Sequence, residues 1–333
     1  MRVSVFSARS YDRDSFEPVN QQHGHEITYR EELLTVDNAG LAQGSEGICI
    51  FVNDRAGTAA TEVLKDHGCR IIVTRSMGVN HIDLAAAERC GIAVARVPHY
   101  SPNSVSEFTV GLILTLTRKM HRAYLRSCEF DFHLDGLVGS QLSDKTVGVV
   151  GAGQIGSLVI KALSGFGCRI LYHDLNEHSE LDSIADFVPI LRLAQESDIV
   201  VLNLPLTPQT YHLVNAETVP KLKHGALIVN TGRGGLIDAS ALVDGLKSGQ
   251  IGGAALDVYE DEAGLLYTDH STDVLQDDTF CRFLTFPNVV VTSHMAYFTN
   301  HALDDIAQTA LQAFTEFEQG KPLSTQVQSR PGG

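Results

Sequence analysis

Three kinds of side chain in the second half of this chain could together move a proton on and off an oxygen atom. They are an arginine at 233, a group of carboxylates at Asp257, Glu260, Asp261 and Glu262, and a histidine at 294. Histidine exchanges protons near neutral pH and suits general acid–base work. A carboxylate on its second ring nitrogen orients the ring and stabilises the imidazolium. An arginine can hold a substrate carboxylate by two parallel hydrogen bonds and so fix the carbon that reacts. Taken singly, each has an ordinary reading. Arg233 is a surface charge, His294 a core or surface residue, and the carboxylates a solvated acidic loop; for Glu260 and Asp261 that reading is preferred. Placement sets the group apart. The strand-like run Ala226–Asn230 leads into Thr231-Gly232-Arg233-Gly234, Gly253–Leu256 into Asp257, and Val289–Thr292 into Ser293 and His294. In an open parallel sheet, ligands bind beyond the carboxyl ends of the strands.

The element that tells what this group acts with lies upstream. Thr146–Val150 (TVGVV) reads as a buried parallel strand, and Gly151-Ala152-Gly153-Gln154-Ile155-Gly156 follows at once. Ile155, Leu158, Val159, Ala162, Leu163 and Phe166 then form one apolar helix face, which Gly165 and Gly167 can end. Arg169–His173 reads as a second strand with Asp174 at its end. This is a dinucleotide-binding fingerprint. The first glycine makes the tight turn, the second lets the backbone approach a pyrophosphate, and the third lets helix pack on strand. The pyrophosphate meets free N–H groups at a positive helix end. Asp174, about 20 residues on, is placed for an adenosine ribose. No basic residue follows it (Leu175 and Asn176 come next), so a 2′-phosphate would be repelled and NAD is favoured over NADP, with His173 and His178 leaving room for some tolerance. A nicotinamide exchanges hydride at a carbon bearing oxygen, and the proton on that oxygen is the business of the histidine.

Composition narrows the setting. The 333 residues suit two domains of ordinary size, and 44% hydrophobic residues are ample for two cores. A net charge of −15 without a Lys/Arg-rich run argues against nucleic acid or an anionic membrane as partner. The six cysteines show no CxxC and no paired histidines, so they read as reduced, mostly buried thiols of a cytoplasmic protein, with no metal site. The start, MRVSVF, runs straight into a strand pattern without a leader signature, and Val110–Thr117 is too short to span a bilayer. Ser324–Gly333 reads as a disordered tail.

The first hundred residues alternate strand and helix: strands at Arg2–Phe6, Gly47–Val52, Arg70–Thr74 and Ile92–Arg96, helices near Thr58–His67 and Ile82–Cys90, and a less clear one near Ser10–His23. Such alternation implies a parallel sheet covered on both faces. Val97–Asn103 carries two prolines and breaks the pattern as a hinge would. Ser104-Val105-Ser106-Glu107 forms a capping box that opens a helix to about His121, a spine between domains. Further strands are expected at Asp198–Leu204 and the runs named above, then a last helix at Leu303–Gln319.

At these residues the chain resembles the D-isomer-specific 2-hydroxyacid dehydrogenases over essentially its whole length. The carrying segments are GAGQIG at 151–156, SDIVVLNLPLTPQTYHLVN at 197–215, GALIVNTGRGGLID at 225–238, GGAALDVYEDE at 252–262 and TSHMAYFT at 292–299. Within the family it is most similar to the fermentative D-lactate dehydrogenases, through IFVNDRAG at 50–57, RSMGVNHIDLAAA at 75–87, VPHYSPNSVSEFTVGL at 97–112 and the acidic loop at 259–278. The resemblance implies a Rossmann NAD domain at 101–298 and a discontinuous, flavodoxin-like substrate domain at 1–100 and 299–333, with a cleft between them and hinges near 97–103 and 293–299. It implies that Arg233 binds the substrate carboxylate, that His294 is the acid–base and that Glu262 is its paired acid. Met77 and Gly78 through their backbone, with Tyr100, Tyr297 and Phe298, line the substrate pocket. The cofactor falls to Gly151, Gly153, Gln154, Ile155, Gly156 and Asp174, with Pro205, Thr231 and Gly232 from later strand ends and Asp257 as a support among them. The implied reaction is NADH with pyruvate giving D-lactate, in a homodimer or dimer-based homotetramer. Rival readings are a glyoxylate or hydroxypyruvate reductase, or an NADH-responsive interaction protein like the related corepressors.

Overall fold

A computed structural model describes residues 1–262 and 264–327. The chain divides into two compact units, one of Met1–Ser101 with the segment from Phe298 onward, the other Pro102–Tyr297.

The first unit holds a five-stranded sheet of β1 (Arg2–Val5), β2 (Glu26–Tyr29), β3 (Gly47–Ile50), β4 (Ile71–Thr74) and β5 (Ala93–Arg96), in the order β2-β1-β3-β4-β5 and parallel throughout. That is a doubly wound order with its switch point between β1 and β3. Its helices are α1 (Ser10–His23), α2 (Thr58–Asp66), α3 (Leu84–Cys90) and, from the far end of the chain, α10 (Asn300–Glu318). Helices α2 and α3 bury Ala60, Leu64 and Ala87 against Ile48, Ile50 and Ile72. Helix α1 packs on α10, and α10 on β4 and β5. Strand β2 carries no continuous apolar run; its residues alternate between exposed and partly buried at the sheet edge, so nothing in EITY announces it.

The second unit holds seven parallel strands: β6 (Thr146–Val150), β7 (Arg169–His173), β8 (Asp186–Phe187), β9 (Ile199–Leu202), β10 (Ala226–Asn230), β11 (Ile251–Leu256) and β12 (Val289–Val291). Their order, β12-β11-β10-β9-β6-β7-β8, puts the switch point between β6 and β9. Both faces are covered, which is why the strands are apolar nearly throughout. Val147, Val149, Ile199, Val201 and Val229 face α4 (Pro102–Thr117) and α6 (Gln154–Ser164). Val150, Val200, Leu202, Ile228 and Leu256 face α7 (Ile190–Glu196), α8 (Ala239–Ser248) and α9 (Asp278–Thr285). The architecture is therefore two α/β units, each a doubly wound parallel sheet.

Four sequence expectations need correction. The helix thought to open at Ser104 starts at Pro102, with Ser104 and Ser106 buried inside it, and stops at Thr117. Lys119 then turns left-handed (φ 52°), and α5 (Met120–Cys128) begins. Helix α4 packs on α6 and β10–β12 within its own unit. On α6, Val159 and Leu163 are buried as expected, but Ala162 and Phe166 are exposed and Ile160 takes their place. Of the six thiols, only Cys49 and Cys69 are buried, and burial pushes both up to about 12; Cys128 is exposed. Within the expected tail, Thr325–Val327 is tied to β5, with Val327 N–H donating to Val94 O and Arg96 N–H to Thr325 O; residues 328–333 lie outside the described residues.

Candidate active site

The glycine loop is built as its spacing demands. Gly151 has φ 92°, and a Cβ there would lie 2.6 Å from the Asn203 carbonyl oxygen at the end of β9. A Cβ on Gly156 would fall 1.9 Å from Gly151 O, so only glycine lets α6 come down on the turn. A Cβ on Gly153 would meet no protein atom within 4 Å, so internal packing does not require that glycine. Approach of a ligand's phosphates does. Gly153 is also the N-cap of α6 and offers no side-chain acceptor, which leaves the first-turn N–H groups at Gln154 and Ile155 for an anion. Asp174 stands beside the loop. Its carboxylate accepts from Ala152 N–H (2.6 Å) and Leu175 N–H (2.6 Å), with His178 Nε2 at 3.7 Å.

The neighbouring strand ends complete the crevice. Pro205 is exposed just beyond β9, and its carbonyl takes the Thr210 hydroxyl. Thr231 is buried, bonded to Thr109 Oγ1 (2.7 Å) and to Asn203 Oδ1 (3.4 Å). Gly232 lies so close to the β9 end that its Cβ would come 3.0 Å from Leu202 O. The Asn203 amide nitrogen is buried with no partner among the described residues. A buried, unsatisfied donor at the carboxyl edge of the sheet, beside an uncapped helix start, is what a bound dinucleotide would satisfy. The residues present fit NAD.

Three adjacent strands then deliver the chemical group. Their ends are laced by backbone bonds: Asp257 N–H to Asn230 O (3.0 Å) and His294 N–H to Asp257 O (2.7 Å). His294 takes a left-handed backbone (φ 54°) and presents Nδ1 to Glu262 Oε1 at 2.9 Å. The other Glu262 oxygen accepts from Tyr259 N–H (3.3 Å). A carboxylate at Nδ1 makes that nitrogen the donor and leaves Nε2 for proton exchange. Gly234, next to Arg233, is pressed so closely on the Tyr259 backbone that a Cβ would lie 2.0 Å from its carbonyl oxygen, which joins the arginine turn to the Glu262 loop. Arg233 is exposed. Its Nη1 donates to Gly232 O (2.8 Å), and no carboxylate pairs with it among the described residues.

Asp257, expected as a support among the cofactor residues, lies beneath the loop that follows β12. Its side chain is buried, and both oxygens are occupied: Oδ1 by Thr292 Oγ1 (2.6 Å) and Met295 N–H (2.9 Å), Oδ2 by Ala296 N–H (2.9 Å). It braces the loop that carries His294. Glu260 is not a solvated acid either. It holds His212 Nε2 at 2.6 Å and the Tyr211 hydroxyl at 3.1 Å, a bond that raises the tyrosine's pKa. Sequence reasoning missed Tyr267, whose hydroxyl donates to His294 O at 3.1 Å; it lies in the acidic loop, where periodicity gives no signal.

In the first unit, Met77 and Gly78 follow β4. Their carbonyls are spoken for, Met77 O by Arg96 Nη1 (3.0 Å) and Gly78 O by the Ser76 hydroxyl (2.8 Å), while neither N–H has a partner among the described residues. Tyr100 is half-buried next to Ser101, whose N–H is held by Asp305 of α10 (3.1 Å). Phe298 is partly exposed, and Tyr297, in the second unit, is buried.

Comparison with known proteins is consistent across the chain. Residues 110–296 match the family profile described as the NAD-binding domain of D-isomer specific 2-hydroxyacid dehydrogenases. A 2-hydroxyacid dehydrogenase homolog of Schizosaccharomyces pombe is 46% identical over 95% of this chain and 96% of its own. The D-lactate dehydrogenase of Escherichia coli is 42% identical over 98% and 100%, and an aromatic 2-oxoacid reductase of Clostridium sporogenes 41% over 96% of each. The solved pyruvate reductase of Chlamydomonas reinhardtii superposes with a TM-score of 0.93 at 38% identity, covering 97% of this chain and 98% of that one. Identities at this level, sustained over nearly all of both chains, show that the protein belongs to the D-isomer specific 2-hydroxyacid dehydrogenase family of NAD-using oxidoreductases.

Proposed function

We propose that this chain is a D-lactate dehydrogenase, catalysing the reversible reduction of pyruvate by NADH. The observation that carries the reading is the His294–Glu262 pair, 2.9 Å apart at the carboxyl edge of the sheet that carries the glycine loop. Bound NADH supplies a hydride to the carbonyl carbon. Protonated His294 gives the proton on Nε2 to the carbonyl oxygen as that oxygen gains charge, and takes it back in the reverse direction. Glu262 holds Nδ1–H, which fixes the ring and its tautomer with Nε2 toward the substrate. Arg233, bonded among the described residues only to a carbonyl, keeps most of its five donors for the substrate carboxylate. The family resemblance gives the rest of the pocket to Met77 and Gly78, whose N–H groups have no partner among the described residues, and to Tyr100, Tyr297 and Phe298. On this reading the working form is a cytoplasmic homodimer, or a tetramer built on dimers, serving fermentation.

A stereospecific assay tests it. Pyruvate, glyoxylate and hydroxypyruvate are offered with NADH, and the lactate formed is resolved by chiral chromatography. Pyruvate should show the highest kcat/KM and yield the D isomer. Preference for glyoxylate or hydroxypyruvate would make the protein a reductase of those acids. Tight NADH binding without turnover of any 2-oxo acid would favour the interaction-protein reading.

A further inference from the structure

The first turn of α1 carries a residue that none of the active-site reasoning uses. Tyr11 meets Phe298 edge to face, with ring centroids 4.7 Å apart and planes at 83°. Both partners are held in place by the surrounding fold. Asp12, next to Tyr11, closes a capping box by accepting from Arg9 N–H (2.9 Å), and its other oxygen forms a buried ion pair with Arg75 Nη1. Arg75 also donates to Phe6 O (2.7 Å). The backbone at residues 11 and 12 is therefore pinned to the strand ends of its own sheet. Phe298 directly precedes Thr299, the N-cap of α10, whose hydroxyl oxygen accepts from Ala302 N–H (3.3 Å). Helix α10 is clamped to the last turn of α1 by His23 Nδ1 and to the segment just after it by His25 Nε2, both on the Thr315 hydroxyl (2.8 and 3.0 Å). An aromatic pair whose two backbones are fixed in this way cannot open by a small shift of either helix.

We infer that Tyr11 determines substrate size by propping the ring of Phe298 against the side chain of the 2-oxo acid. The inference rests on the proposed role of Phe298 as a wall of the substrate pocket. With the prop in place Phe298 keeps one rotamer, and the pocket closes over a methyl group. With the prop removed, the Phe298 ring swings into the space Tyr11 leaves, and a longer or aromatic 2-oxo acid gains room. Hydrophobic pockets discriminate by roughly tenfold or more per methylene, so a lost wall is easily measured.

The test compares kcat/KM for pyruvate, 2-oxoisocaproate and phenylpyruvate in the wild type, Tyr11→Ala, Tyr11→Leu, Tyr11→Phe and Phe298→Ala, each checked by thermal melting. Tyr11→Ala should raise the ratio of the large acids to pyruvate about tenfold, with Phe298→Ala shifting it the same way. Tyr11→Leu fills the space without an aromatic edge and should give an intermediate ratio, which serves if the alanine variant does not fold. Tyr11→Phe keeps the edge contact and should keep the wild-type ratio. If Phe298→Ala shifts the ratio and the Tyr11 variants do not, Tyr11 is only structural and the inference falls while the pocket reading stands. If Phe298→Ala leaves the ratio unchanged, the pocket reading itself falls, and the inference with it.

Discussion

His294 can act as proposed only while three groups around it stay in place: Glu262 on Nδ1, Asp257 under the loop, and Tyr267 on its carbonyl oxygen. His294→Gln removes the exchangeable proton and should lower kcat by roughly 10²–10⁴ with NADH binding intact; near-normal turnover would end the assignment. Arg233→Gln should raise KM for pyruvate and slow turnover, because one guanidinium no longer fixes the carboxylate. Fluorescence titration with NADH should hardly change, and a collapse of cofactor binding would show that Arg233 serves the cofactor instead. Asp257→Asn is the sharper trial of how the site is built. It puts an amide NH₂ where a carboxylate oxygen now accepts from Thr292, Met295 or Ala296, so a donor faces a donor. Unmatched buried groups cost about 1–3 kcal/mol, and the displaced loop should show as reduced kcat at unchanged NADH affinity.

At the scale of elements, the strands were the most legible part of the sequence. TVGVV, RILYH and ALIVN announce themselves because both faces of a parallel sheet are buried, so the apolar run and the strand coincide. Edge strand β2 and the two-residue β8 stayed hidden because half-exposed edges need no such run. The group proposed for catalysis was legible through placement at strand ends, whereas Tyr11, Asn203 and Tyr267 were not, since each matters through a neighbour distant in sequence. Two further outcomes belong to this scale. Gly156→Ala sets a methyl 1.9 Å from Gly151 O and must lift α6 off the turn, at about 1–3 kcal/mol in stability and with markedly weaker NADH binding. Thermal melts with and without NADH check both. The segment after β4 carries a second constraint. His81 Nε2 bonds Thr74 Oγ1 (3.0 Å), which meets Ser76 Oγ (2.7 Å), which in turn holds Gly78 O. Burial, with the charge of Arg55, lowers the His81 pKa from 6.5 to about 4. The folded protein thus keeps His81 neutral while the unfolded chain takes up a proton below pH 6.5. Stability is lost as pH falls from 6.5 to about 4, by about 3 kcal/mol in all. In His81→Gln that part of the pH dependence should vanish, and parallel stability curves for wild type and variant would refute it.

For the molecule as a whole, one stretch of chain is at odds with a solitary existence. Helix α5 buries none of its residues. A short helix gains most of its stability from packing an apolar face, and this nine-residue helix has no fully buried residue to supply it. Yet Met120, Tyr124 and Leu125 on this helix and Phe130, Phe132, Leu134 and Val138 just after it are all exposed, Phe130 and Val138 at 83%. Beside them is a cavity of about 460 Å³ lined by Leu116, Lys119, Arg122, Val138, Leu227 and Pro287, at the amino ends of β10–β12 and so away from the catalytic strand ends. Large exposed apolar patches of this kind mark an interface. A second copy of the chain is the occupant that the proposed dimer requires, since a two-fold axis would let each copy offer the same apolar segment to the other. The chain's charge of −15 resists looser association, so the contact has to be specific. Light scattering should give twice the 36.1 kDa of one chain. Phe130→Asp with Phe132→Asp should bring the mass down to that of one chain and lower the melting temperature, because the apolar segment then loses its cover. A dimer that survives both substitutions would move the interface to another face of the protein, and a wild-type chain that scatters as a single copy would leave the apolar segment to a partner of a different kind.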